Sequence, residues 1–173
     1  TFTIKIQPEK IEVNQSWKII PLGKNTALLK IPSFRREYFE KKNIYLLGQK
    51  LRDYSRLVVD LRKNEGGNFV SGLRLLSHFI CEPQEIGYLL RPKFKETQIT
   101  DLKNDLDDEA QLAQLEQSSQ VKLKTFPGYP CRSTKLAVLT DQNTASTAEM
   151  VAQALSDFSQ AKIFGLLSSG QLL

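Results

Sequence analysis

Leu57-Val58-Val59-Asp60-Leu61-Arg62-Lys63-Asn64-Glu65-Gly66-Gly67 is the stretch from which the rest of the chain can be read. Its first half, within Ser55–Leu61, is a short apolar run that suits a strand buried on both faces, as in a parallel sheet. Paired glycines then close a turn. Asn68–Ile80 follows with Phe69, Leu73, Leu76 and Ile80 on one helical face. A strand, a glycine turn and a helix in this order aim backbone N–H groups and the helix N-terminal potential at one point, where an anion or oxyanion can sit. A plain turn needs the same glycines for its φ angles. A phosphate-binding loop is excluded, because no Gly-Lys-Ser/Thr follows.

Outward from this junction the pattern repeats. Leu136–Thr140 reads as a second buried strand, Ala145–Phe158 as a helix with Val151, Ala154, Leu155 and Phe158 inward, and Lys162–Gly165 as the strand after it. On the N-terminal side, Ala27–Ile31 is a strand stopped by Pro32, and the spacing predicts one helix over Phe34–Leu51. Ile86–Leu90 reads as a further strand. Thr1–Ile6 alternates as a strand does, and Lys10–Val13 and Trp17–Ile20 continue in β-like pieces. Thr100–Ser119, acidic and Gln-rich, reads as a helical insert or a flap over the body. Alternating strands and helices argue for an α/β fold with crossover connections.

The composition narrows the function. The 173 residues are 40% apolar and 25% charged, the balance of one globular domain with a core of its own. The 24 basic and 19 acidic residues give a net charge of +5 with the bases scattered, which argues against nucleic acid as a partner. No apolar run reaches the ~18 residues that a membrane helix needs. With a single His78 and no Cys/His cluster, a zinc site is not expected. Cys81 and Cys131 form one disulfide or none. The chain starts at Thr1 without an initiator Met and stops at Leu173 in a loop-like stretch, so both ends read as cut.

The second junction, Asp141-Gln142-Asn143-Thr144-Ala145-Ser146-Thr147-Ala148-Glu149, carries the chemical candidate. Ser146 falls in the first turn of a helix just past a buried strand, where backbone N–H groups can receive an oxyanion. Ser146-x-x-Glu149 also fits a capping box, which needs no catalysis. His78 shares a helical line with Ser71 and Arg74 away from the apolar face. It is therefore expected at the surface, leaving Ser146 no histidine base.

Taken together, the two junctions resemble the serine peptidase family of the tail-specific and carboxyl-terminal processing proteases. Asn25–Phe34 is similar to the family's "GYIRIPSF" strand, Leu57–Gly67 to its "LIIDLRNNPGG", and Leu136–Gly165 to its serine-bearing strand and helix. The resemblance covers residues 25–171 and implies a ClpP/crotonase-like layered core over 21–173. Residues 1–20 resemble the last strand of a PDZ domain. Carried over, Ser146 is the nucleophile, and Thr147 with Gly66 or Gly67 supplies the oxyanion N–H groups. Asp60, Arg62, Glu149 and Asp157 give structural support; eleven residues along a helix reach about 16 Å, so Asp157 cannot touch Ser146. No metal or organic cofactor is implied.

In one respect the sequence departs from the family. Where the processing proteases carry a general-base lysine in a Gly-Lys-Gly turn, this chain has Gln171, in Ser168-Ser169-Gly170-Gln171. An amide cannot take the serine proton, and Lys162 belongs to the preceding strand. Three accounts remain open: an inactive relative that binds peptides, a tricorn-like branch with its base elsewhere in the chain, or a base beyond Leu173. The expectation is a serine endopeptidase that cleaves protein substrates near their C-termini. The alternative is an inactive peptide-binding or scaffold domain. A nucleotide- or acyl-CoA-handling relative of the crotonase fold is a third, remote reading. The resemblance implies extended substrates added to a sheet edge and an extracytoplasmic location, in periplasm, cell envelope or thylakoid lumen, where a Cys81–Cys131 bridge would fit. It leaves the oligomeric state open.

Overall fold

The computed structural model describes residues 16–90, 99–101, 108–118 and 120–171. In chain order the elements are β1 (Lys18–Gly23), β2 (Thr26–Lys30), a 3-10 turn (Arg36–Tyr38), α1 (Lys41–Leu51), β3 (Arg56–Asp60) and α2 (Phe69–Leu76). They continue with β4 (Glu85–Leu90), β5 (Ile99–Asp101), α3 (Asp108–Gln117), β6 (Gln120–Lys124), β7 (Lys135–Thr140), α4 (Thr147–Ser159) and β8 (Lys162–Gly165). The expected strands Thr1–Ile6 and Lys10–Val13 lie outside the described residues, as do 102–107 and 119 of the expected insert.

The main sheet runs β1-β2-β3-β7-β8, with β1 antiparallel to β2 and every other pair parallel. Its register explains the core. Ala27 pairs with Leu57 and Leu57 with Leu136; Leu29 pairs with Val59 and Val59 with Val138. All six side chains are buried, so two apolar rows cross three strands on one face. The β2-β3-β7-β8 order moves in one direction, and each parallel step crosses through helical chain. Right-handed crossovers then place α1, α2 and α4 on that same face. The other face carries Leu28, Val58, Ala137 and Leu139, only half-buried. The both-faces burial expected of Leu57–Leu61 is thus corrected: one face is sealed by helices and the other is partly open.

Several sequence expectations need similar correction. The single helix over 34–51 is broken. Phe39 leaves helical geometry and Glu40 is extended, so only Lys41–Leu51 is α-helical. The cause is packing. Phe34 and Phe39 are both fully buried with ring centroids 5.3 Å apart. Five residues along a continuous helix would turn them ~140° apart. Breaking the helix lets both rings reach the core and leaves Phe34 extended, bridged to Gly67.

Helix α2 is shorter than expected and buried on nearly every side, Arg74 included; the guanidinium donates to the Phe39 carbonyl at 3.0 Å. The same sandwiching overturns the surface reading of His78, which is only 3% exposed. Its Nδ1 lies 2.8 Å from the Pro130 carbonyl, and its ring meets Tyr129 edge-on. Burial lowers its pKa, against the pull of backbone carbonyls.

Between α2 and β7 the chain leaves the main sheet and builds a second one, ordered β4-β6-β5. The sequence reading foresaw β4 but missed β6, although Val121 and Leu123 alternate inward. Within 100–119 the expected helix is present as α3, whereas residues 99–101 form strand β5, paired parallel to β6, which the sequence reading did not foresee. At the N-terminal side, β1 pairs along β2 from Lys18 onward. A boundary between residues 20 and 21 therefore cuts a strand of the main sheet.

Candidate active site

Two turns at the C-terminal ends of β3 and β7 meet side by side, where ligands bind in open α/β sheets. The first begins with Asp60, which is buried and clamped by Arg62: Nε donates to Oδ1 at 2.8 Å and Nη2 to Oδ2 at 2.9 Å. Burial would raise the Asp60 pKa, but the Arg62 hydrogen bonds and charge outweigh it and hold the carboxyl below its usual range. This fork fixes the exit of β3. Asn64, fully buried, then organises the turn. Its amide donates to the Ile31 carbonyl at 2.8 Å, its Oδ1 accepts the Gly66 N–H at 2.8 Å, and its carbonyl accepts the Ala145 N–H at 3.0 Å.

The glycines are required by close approach. At φ 95°, a Cβ on Gly66 would lie 2.9 Å from Ser146 Cβ. At φ 137°, one on Gly67 would lie 2.7 Å from the Phe34 carbonyl oxygen. Only glycine lets the first turn lie this near the serine.

The second turn is locked to the first. Thr144, fully buried, donates its hydroxyl to the Leu61 carbonyl at 3.0 Å, and Asp141 accepts the Lys63 N–H at 3.0 Å. The Lys63 N–H is the main cause of a lowered Asp141 pKa. Thr147 Oγ1 donates to the Gly67 carbonyl at 2.8 Å. Ser146, at the N-terminus of α4, has φ 53° and ψ −124°, a backbone conformation costing about 1–3 kcal/mol that survives only where its surroundings impose it.

Glu149 imposes it. The side chain is 8% exposed, and Oε2 accepts both the Ser146 N–H at 2.9 Å and the Gln171 N–H at 2.9 Å, while Oε1 accepts the Gly170 N–H at 2.7 Å. Burial would raise its pKa, but the Ser168 hydroxyl and these three N–H groups outweigh it and lower it. The capping pattern of the sequence is therefore half of a larger device. One carboxylate ties the serine's turn to the turn holding Gln171.

Ser146, Thr147, Gly67 and Gln171 line one cleft of about 390 Å³. Its apolar wall includes Phe69 and Met150 from the body and Ile86, Leu89 and Leu123 from the second sheet. Among the described residues, the N–H groups of Gly67 and Thr147 have no hydrogen-bond acceptor, whereas that of Gly66 is committed to Asn64. No lysine, histidine or carboxylate is among the described residues lining the cleft. Asp157 lies elsewhere, exposed on α4, accepting from Gln153 at 2.8 Å within the same helix. Sequence reading missed Asn64 and Thr144 as organisers of the site. The motif contained Asn64, but nothing in it signals that a fully buried amide serves two backbone groups.

A mostly parallel sheet thus holds Ser146, at the N-terminus of α4, in a turn interlocked with the glycine turn after β3. The sequence comparison names the family: residues 25–173 match peptidase family S41, a serine peptidase family, and the chain belongs to it. No curated protein matches the sequence.

Similar solved structures include a peptidase from Parabacteroides merdae (TM-score 0.64, 16% identity, covering 93% of this chain and 46% of that one). An S41 protease from Bacteroides fragilis is also similar (0.61, 21%, covering 90% and 39%). So is the photosystem II D1 C-terminal processing protease (0.59, 18%, covering 94% and 39%). At these identities the likeness shows the shared fold, and the chain spans less than half the length of each of these three. Among the described residues, no helix is long and apolar enough to cross a membrane, and no group of three or more His, Cys, Asp or Glu could hold a metal ion.

Proposed function

We propose that this domain is a serine endopeptidase that acts on extended protein chains near their C-termini through a Ser146 acyl-enzyme. The observation that carries the reading is the convergence of Ser146 with the acceptor-free N–H groups of Thr147 and Gly67 in one cleft. Ser146 Oγ attacks the scissile carbonyl, and the two N–H groups receive the oxyanion. Between Gly66 and Gly67, the free N–H favours Gly67 as the second donor. The apolar wall takes a substrate side chain. Ile86, Gly87, Tyr88 and Leu89 line the cleft consecutively. A strand presents four residues in a row only along its edge, which supports addition of the substrate to β4. The one-directional strand order with helices on one face supports the ClpP/crotonase-like description of the core. The Cys81–Cys131 bridge supports an oxidising, extracytoplasmic location.

Gln171 offers no base, so the serine proton leaves to water, and the reaction runs about 10²–10⁴-fold below one with a positioned base. The same base-free lining favours a second reading, a silent peptide-binding domain on the protease fold. Labelling with a fluorophosphonate separates the two. The serine peptidase is expected to gain one phosphonyl adduct at Ser146, slowly in the parent and faster in Gln171→Lys, with none in Ser146→Ala. If parent and Gln171→Lys both stay unlabelled while peptide still binds, the second reading holds.

A further inference from the structure

The second sheet forms one wall of the Ser146 cleft; its inward Val121 and Leu123 join the common hydrophobic core, and Ile86 and Leu89 pack against it. The chain enters and leaves this sheet by two crossings, one after α2 and one before β7. Cys81 lies on the first crossing and Cys131 on the second, 50 residues apart in sequence and joined by a disulfide. The bridge therefore closes the root of the whole excursion. Strand β4 starts four residues past Cys81 and supplies Ile86 and Leu89 to the cleft; Leu123 of β6 comes from the chain returning toward Cys131.

Other ties at the root are noncovalent: Phe126 and Tyr129 are buried in the core, the Tyr129 ring meets His78 edge-on and stacks on Tyr45, and the Pro130 carbonyl lies 2.8 Å from His78 Nδ1. The N–H of Gln84 donates to Thr125 Oγ1 at 2.8 Å, that of Phe126 to Ser77 Oγ at 2.8 Å, and that of Arg132 to the His78 carbonyl at 3.1 Å. They keep the excursion attached if the bridge opens, but each single hydrogen bond can exchange with water. Cys81 is exposed to solvent, so a thiolate can reach the bond.

We infer that the Cys81–Cys131 disulfide is a positioning pair for the substrate-binding wall, and that its redox state sets peptide affinity at the Ser146 cleft. A dithiol reductant delivers two electrons and two protons, leaving two cysteine thiols and its own disulfide. The second sheet then samples positions away from Ser146, and the extended peptide loses its rail. The main sheet, with its core of β2, β3 and β7, stays folded.

The peptide arm rests on the cleft being the peptide site proposed above; a second arm does not. In the first, a fluorescein-labelled unstructured peptide with apolar side chains is titrated against the full Ser146→Ala chain, oxidised, reduced with dithiothreitol, and re-oxidised. Affinity is expected to fall tenfold or more on reduction and to return on re-oxidation, with Cys81→Ser/Cys131→Ser in the same background matching the reduced form. In the second arm, hydrogen exchange is compared between redox states. It is expected to rise across 82–130 and stay unchanged in β2, β3 and β7. Exchange that is equal in both states overturns the inference, as does an equal rise throughout the main sheet, which would make the bridge a brace for the whole domain. Unchanged affinity of a peptide that does bind overturns it too. If no peptide binds the oxidised protein, the peptidase reading fails, and hydrogen exchange alone still decides the role of the bridge.

Discussion

At the scale of single residues, the site is held by two buried polar side chains that do no bond-making. Asn64 satisfies the Ile31 carbonyl and the Gly66 N–H. Asn64→Ala leaves both unpaired, at about 1–3 kcal/mol each. A urea titration should show a lower midpoint with an unchanged slope. Glu149 is the second. Its folded-state pKa is lowered from an ordinary value of 4.5, so its stabilising contribution is fully present above that value and is lost as pH falls through the lower folded one. Asp60 adds to the same slope below its ordinary 3.8, since Arg62 holds it charged. Thermal melts of the parent should therefore fall steeply below about pH 4.5, by this linkage. Those of Glu149→Gln should start lower at neutral pH and lose less on acidification. Equal slopes would remove Glu149 from its place in the link.

Among the elements, the break between the 3-10 turn and α1 matters most for the site. It seats Phe39 in the core and leaves Phe34 free to bridge Gly67, so the glycine turn is fixed from below. Phe39→Ala should cost about 3–5 kcal/mol, the usual range for a buried ring, read as a lower melting temperature. Local pattern made β3, β7, α4 and the two turns legible, because a buried parallel strand followed by glycines or a capped helix is written in adjacent residues. The break at Phe39 was not, because periodicity around Tyr38, Tyr45 and Leu46 favours one helix and only tertiary packing of Phe34 separates the two readings. His78 was misplaced for a related reason: a polar face looks exposed until another segment, here Tyr129 and Pro130, covers it. Strand β6 lacked a turn signal of its own beside the Gln-rich stretch. Strand β4 of the cleft's far wall was legible, but its pairing with β6 and its place opposite Ser146 were not.

In the molecule as a whole, a layered main body carries Ser146, and the second sheet forms the far wall of its cleft. The Cys81–Cys131 bridge joins the two at their root, and a loop of this length should contribute about 4 kcal/mol to the oxidised chain on the chain-entropy account. The chain belongs to peptidase family S41; under the Ser146 acyl-enzyme proposed above, Gln171 would limit the rate. The most direct test is mass spectrometry of an unstructured peptide with an apolar C-terminus after incubation with the parent, Ser146→Ala and Gln171→Lys. The expected result is slow cleavage near the peptide's C-terminus by the parent, about 10²–10⁴-fold faster cleavage by Gln171→Lys, and none by Ser146→Ala. Cleavage that survives in Ser146→Ala, or intact peptide in all three, would contradict a Ser146 acyl-enzyme.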